Sequence, residues 1–126
     1  MVQKLTNNNY KGRKGSILNR RKDIKFQIAI TDQLEKDFCF KHLKGNHLKS
    51  FQRFLNETVN KRLSISQVDD MYLRKKGSGE TKEVNNKKFN LIHYGKDQKS
   101  FRIFGYYNPD DYFVITRIDP KHKTHK

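Results

Sequence analysis

The chain has 126 residues, and 28 Lys and Arg against 13 Asp and Glu leave a formal charge of +15, an excess that points to an anionic partner. Leu, Ile, Val and Phe make up about a quarter of the residues, enough for one modest core and more than a fully disordered chain of this charge would carry. A lone cysteine, Cys39, excludes a disulfide scaffold and a multi-cysteine zinc site. No apolar run reaches the ~18 residues of a membrane span, and Met1 to Tyr10 lacks the apolar stretch of a secretion signal, so a soluble, cytoplasmic protein without a membrane partner is expected.

Residues 1–23 hold Lys4, Lys11, Arg13, Lys14, Arg20, Arg21 and Lys22 among Asn and Gly, with few large apolar side chains. They predict a flexible basic arm, either one that settles on a polyanion or a solvated tail. Residues 24–126 are expected to form a single domain. In Ile24 to Ile30 every second residue is apolar, the period of a strand with one buried face. In the stretch after it, Thr31 is placed to cap a helix, with Asp32 and Glu35 in its first turn, Lys41 and Lys44 in its last, and Gly45 beyond. Leu48, Phe51, Phe54, Leu55 and Val59 then recur at spacings of three and four, with Lys49, Arg53, Asn56 and Asn60 on the opposite side, predicting a second helix and so a helical hairpin. Ser66 and Asp69 form a start signal for a short third helix through Val68, Met71 and Tyr72.

Arg74 to Glu83 reads as a basic linker into three strands, Lys87–Tyr94, Ser100–Tyr107 and Tyr112–Asp119, joined by the turns GKDQK and NPDD and followed by a basic tail. Helices first and strands after predict an α+β fold, with the helices on one face of a mostly antiparallel sheet.

If Asn108 to Asp111 is the hairpin loop, Tyr107 pairs with Tyr112, Gly105 with Val114, Ile103 with Thr116 and Phe101 with Ile118. This apolar face, extended by Phe89 and Leu91, belongs under the helices. The other face then sets Arg102 opposite Arg117, Phe104 opposite Ile115 and Tyr106 opposite Phe113, with Tyr94 on the same side. Like charges across a ladder are destabilising, so the two arginines call for an anion such as phosphate between them. Alternatively both splay into water, or Asp119 pairs with Arg117, and a shift of one residue in register would separate them. The aromatic residues beside them suit unstacked bases, or else are strand residues covered by the arm or a partner.

The order strand, two helices and three-stranded meander, with FRIFGYY at Phe101 to Tyr107 and then YFVITRIDPKHKTHK, resembles the RelE/ParE superfamily of toxins from toxin–antitoxin systems over roughly Ile24 to His125. The resemblance implies a RelE-like α+β fold and a small basic endoribonuclease that cuts mRNA on the ribosome without a metal and is neutralised by a cognate antitoxin. ParE-like members instead act by binding gyrase. Matched by position, Arg102 and Arg117 take the family's strand arginines, His122, or else His125, its C-terminal acid or base, and Lys87 and Lys88 its RNA-contacting basic residues. The long basic arm, the third helix and the Asp119–Pro120 break before the tail depart from the family pattern.

Metal-free RNA cleavage requires a base for the 2′-hydroxyl, a cation for the charge developing on the phosphoryl oxygens and an acid for the leaving oxygen. Arg102 and Arg117 suit the second role and His122 the third, with His93 or Glu83 orienting a base unless His93 is a structural histidine on the core face. Lys87, Lys88, Tyr94, Tyr106, Lys121, Lys123 and His125 complete the expected RNA-binding set. No metal and no cofactor are called for. His122 and His125 lie in a lysine-rich tail that repels cations, Asp69 and Asp70 cannot share one helix face, and phosphate-loop, dinucleotide and nucleophile-elbow motifs are missing from the sequence. Cys39, between two phenylalanines, reads as a small hydrophobe. The alternative function is a non-catalytic basic RNA-binding protein, or a ParE-like toxin that binds a protein target.

Overall fold

The computed structural model describes residues 22–74, 80–96 and 99–121. The expected arm at 1–23, apart from its last two residues, and the tail from 122 onward lie outside them. The fold is α+β: β1 (Ile28–Ala29), a single 3-10 turn (Phe40–His42), α1 (Gly45–Glu57), α2 (Ile65–Tyr72), β2 (Leu73–Arg74), β3 (Thr81–Val84), β4 (Lys87–Asn90), β5 (Ile92–Gly95), β6 (Arg102–Tyr107) and β7 (Phe113–Asp119). One sheet has the order β1-β7-β6-β5-β2, and β3 and β4 form a separate hairpin. The β5–β6–β7 meander is antiparallel as expected, and β1 joins β7 in parallel, which makes the larger sheet mixed.

The amino-terminal strand is shorter than its alternation suggests, because its residues serve two neighbours. Ile28 and Ala29 pair with Phe113 and Val114, whereas Phe26 donates its N–H to the Leu63 carbonyl at 2.8 Å, bracing the α1–α2 connection. The Phe26 ring fills the centre of the core, edge-on to Phe54 and Tyr94 at 6.0 and 5.7 Å between centroids. Helix α1 follows the predicted apolar spacing at Phe51, Phe54 and Leu55, whereas Leu48 is exposed and Val59 lies beyond the helix end. Helix α2 starts two residues earlier than expected, since Ser64 rather than Ser66 caps it: the Ser64 hydroxyl accepts from Gln67 N–H at 3.2 Å, and the Gln67 amide oxygen accepts from Ser64 N–H at 2.9 Å.

The first predicted helix, and with it the helical hairpin, is replaced by an extended segment. Glu35 N–H donates to the Thr116 carbonyl and Ile118 N–H to the Phe38 carbonyl, both at 2.9 Å, and Asp37 takes a left-handed φ of 70°. Strand β1 covers only the first residues of β7, so the outer edge of β7 would otherwise be left with unsatisfied backbone groups, and pairing that edge outweighs local helix preference. The predicted linker and the long strand after it also differ. Thr81–Val84 pairs with Lys87–Asn90 through an Asn85–Asn86 turn whose φ values of 52° and 68° suit a tight hairpin, and the chain then breaks at Leu91 before β5.

Register decides what each face carries. The β6–β7 loop runs one residue longer than NPDD, because Asn108 Oδ1 accepts from both Asp110 N–H and Tyr112 N–H, at 3.0 and 2.9 Å. Tyr107 therefore pairs with Phe113, and a bulge on β7 at Thr116, opposite the Phe104–Gly105 step, shifts the register again, so that Phe104 faces Arg117 and Arg102 faces Asp119. Ile103, Phe113, Ile115 and Ile118 join Phe26, Phe54, Val68, Tyr72 and Tyr94 in the core beneath the helices. The opposite face is also covered: Val84 and Phe89 of the β3–β4 hairpin, with Ala29, pack on Leu91, Tyr106 and Val114.

Candidate nucleic-acid interface

Both strand arginines lie on the face away from the helices, but not as an open pair. Arg117 is 7% exposed. Its Nε donates to Glu35 Oε1 at 3.1 Å and its Nη2 to Glu35 Oε2 at 3.2 Å, while Nη1 and Nη2 reach the two Glu80 oxygens at 3.1 and 3.0 Å. The guanidinium also lies over the Phe104 ring at 4.5 Å and the Phe38 ring at 5.6 Å. Burial works against the charged form, yet the hydrogen bonds to Glu80 and Glu35 prevail and raise the Arg117 pKa above its ordinary value. Arg102, 5% exposed, turns its Nη1 to the carbonyls of Lys96 and Phe101, at 3.4 and 3.0 Å, and of Lys99. The expected phosphate grip between facing arginines is therefore corrected. The register places them on different rungs, and each guanidinium has partners within the protein.

The expected stacking tyrosines are buried. Tyr94 is 0% exposed and lies in the core on the helix side, because it pairs with Ile103 rather than sharing the face of Tyr106. Its hydroxyl donates to Asp69 Oδ1 at 2.5 Å and, having a single proton, accepts from Tyr107 at 2.7 Å. Burial and these neighbours push the Tyr94 pKa well above that of a free tyrosine. Tyr106 is 4% exposed beneath Phe89, with ring centroids 4.7 Å apart. His93 is buried as expected, but on the face opposite the helices, stacked on Phe104 at 4.7 Å. Glu83 stands exposed on β3, across from Lys88. Lys87, Lys88 and Lys121 are exposed. His122, Lys123 and His125 lie outside the described residues. Among the described residues, no three His, Cys, Asp or Glu side chains converge as a metal site requires, and no helix is long and apolar enough to cross a membrane.

A cleft that sequence reasoning missed opens between α1 and the end of β5. Ser50, Arg53 and Glu57 succeed one another along one face of α1, and Lys96 and Lys99, from the connection between β5 and β6, stand across from them. Half-buried Phe101 and the buried Phe54, Tyr72, Tyr94 and Ile103 also line the cleft. Lys96 Nζ lies 3.6 Å from Glu57 Oε1, and the Tyr72 hydroxyl donates to the same oxygen. The Tyr72 hydrogen bond lowers the Glu57 pKa below its ordinary value; partial desolvation works the other way, and the Lys96 charge adds to the lowering. In return, burial and the Glu57 carboxylate raise the Tyr72 pKa.

Two signals for this cleft were present in the sequence: Arg53 on the polar side of a predicted helix, and a turn, GKDQK, rich in lysine. What sequence cannot show is that they meet. No protein-family model matches this chain, and neither a curated protein nor a solved structure is significantly similar to it.

Proposed function

We propose that this protein is a basic RNA-binding module whose ligand is a single-stranded RNA held mainly through its phosphates. One observation carries the reading. Arg117 is bonded to two carboxylates, Glu35 and Glu80, so that buried cluster is itself net negative and the +15 excess stands elsewhere in the chain. Exposed cations such as Lys87 and Lys88 suit phosphate neutralisation.

A fluorescent RNA oligonucleotide titrated with the full chain tests the proposal. The expected result is binding whose logarithm falls steeply and linearly with the logarithm of salt concentration, as counterion release requires. No binding at low salt, or binding indifferent to salt, would reject it.

A second reading, an endoribonuclease of the RelE kind that acts on ribosome-associated mRNA and is held in check by an antitoxin, draws support from the antiparallel β5–β6–β7 meander. In that reading Arg102 and Arg117 would have to leave their internal partners to reach a phosphate, so cleavage by this pair is not carried into the proposal.

A further inference from the structure

We infer that the cleft between α1 and the β5–β6 connection is a phosphate subsite for single-stranded RNA, in which Arg53, Lys96 and Lys99 take the phosphate and Glu57 is the internal counter-ion that the phosphate displaces. This inference rests on the RNA-binding reading above and assigns it a place. Among the described residues, Arg53, Lys96 and Lys99 and the single carboxylate Glu57 line the cleft, and all three cations are exposed. Beside them, half-buried Phe101 offers a base an apolar surface next to the phosphate position.

The carboxylate does not close the site. The Lys96–Glu57 contact is a long, partly exposed ion pair, with the Lys96 side chain 54% exposed. Such partly exposed pairs contribute little, so a phosphate carrying a full charge and several acceptor oxygens can take Lys96 over. Glu57 keeps a second partner, the Tyr72 hydroxyl, when Lys96 turns to the phosphate.

The lysines are also positioned from beneath. Arg102 reaches the carbonyls of Lys96, Lys99 and Phe101 with one nitrogen, gathering the ends of the β5–β6 connection against the sheet. Gly95 makes room for this, since a Cβ there would meet Arg102 Cδ and would come within 2.7 Å of Arg102 Nη1. Arg102 is thus a positioning residue: it faces inward and fixes the backbone that carries two outward cations.

The test compares two variants of equal charge, each checked for an unchanged circular dichroism spectrum and melting temperature. One carries Arg53→Gln, Lys96→Gln and Lys99→Gln; the other carries Lys36→Gln, Lys41→Gln and Lys44→Gln, all exposed and outside the cleft lining. With a fluorescent single-stranded RNA, the cleft variant is expected to lose roughly tenfold or more in affinity beyond the control and to show a flatter salt slope. Glu57→Gln is expected to tighten binding more than Asp70→Asn, which removes a negative charge elsewhere. Equal losses in the two triple variants would overturn the subsite while leaving the RNA-binding reading intact; no binding by the wild-type chain would overturn both.

Discussion

Arg117 lies directly across the β6–β7 ladder from Phe104, its guanidinium carbon 4.5 Å from the ring centroid and its nitrogens bonded to Glu35 and Glu80. Replacing it with Met keeps most of the volume but leaves two carboxylates facing a site with no cation. Breaking a buried ion cluster on one side costs about 3–5 kcal/mol. Because Glu35 and Glu80 keep 33% and 39% side-chain exposure, water recovers part of that cost. Arg117→Met is therefore expected to lower unfolding free energy by about 2–3 kcal/mol in urea titration. Adding Glu35→Gln and Glu80→Gln should restore much of the loss, and Arg117→Lys should not, since an ammonium cannot reach two carboxylates as a planar fork does.

Alkaline pH should unfold the protein through Tyr94. Its folded pKa is raised above that of a free tyrosine, so the native state keeps a proton that the unfolded chain releases above about pH 10. Stability is then fully present below that pH and falls as pH rises beyond it, at up to ~1.4 kcal/mol per pH unit for one such group. Tyr72, also raised, adds to the slope. Tyr94→Phe is expected to cost about 1–2 kcal/mol at neutral pH, through its two lost hydrogen bonds, yet to show a shallower decline between pH 9 and 11, roughly the window set by the free pKa. Urea midpoints measured across that range check the sign.

Glycine substitutions should separate crowded backbone from open backbone. Gly95→Ala pushes a methyl group into Arg102 and the Phe101 carbonyl, and Gly105→Ala pushes one against Val114 O and the Phe113 ring. Each is expected to destabilise by about 1–3 kcal/mol. Gly45, at the start of α1, has no atom within 4 Å of an added Cβ. Gly45→Ala should be neutral or stabilise by up to about 1 kcal/mol. Thermal melts of the three variants, run side by side, give the comparison.

Removing the cap of α2 is expected to cost about 1 kcal/mol, read as a lower melting temperature of Ser64→Ala. Ser66→Ala should have little effect, because Ser66 does not hold the cap position.

Much of the secondary structure was legible because its signals are local. The apolar spacing of Phe51, Phe54 and Leu55 sufficed for α1, and alternation sufficed for β6 and β7. What failed depended on partners distant in sequence. A helix over 32–44 satisfies every local rule, but the segment is drawn out by the free edge of β7, which nothing in those residues announces. The β6–β7 register turned on one side chain, Asn108, which extends the loop by a residue, and on a bulge without a sequence mark. The candidate arginine pair failed for a related reason: Glu35 and Glu80 lie 82 and 37 positions before Arg117, so no motif links them. In the cleft, Arg53 and Lys96 were each visible as charges, while their meeting depends on how α1 crosses the end of β5.

The additional residue in β7 has a consequence for how this chain tolerates change in length. Upstream of Thr116 the odd-numbered side chains, Phe113 and Ile115, point into the helix-side core; downstream it is Ile118, an even-numbered one. Deleting Thr116 would leave Ile115 inward, Arg117 outward and Ile118 inward, an uninterrupted alternation that keeps every remaining side chain on its own face, at the cost of the Glu35 N–H bond to the Thr116 carbonyl. Thr116 is therefore the surplus position of β7, so length variants should accept additions in the Asn108–Tyr112 loop and tolerate the loss of Thr116 better than the loss of Ile115 or Ile118, each of which empties a place in the core.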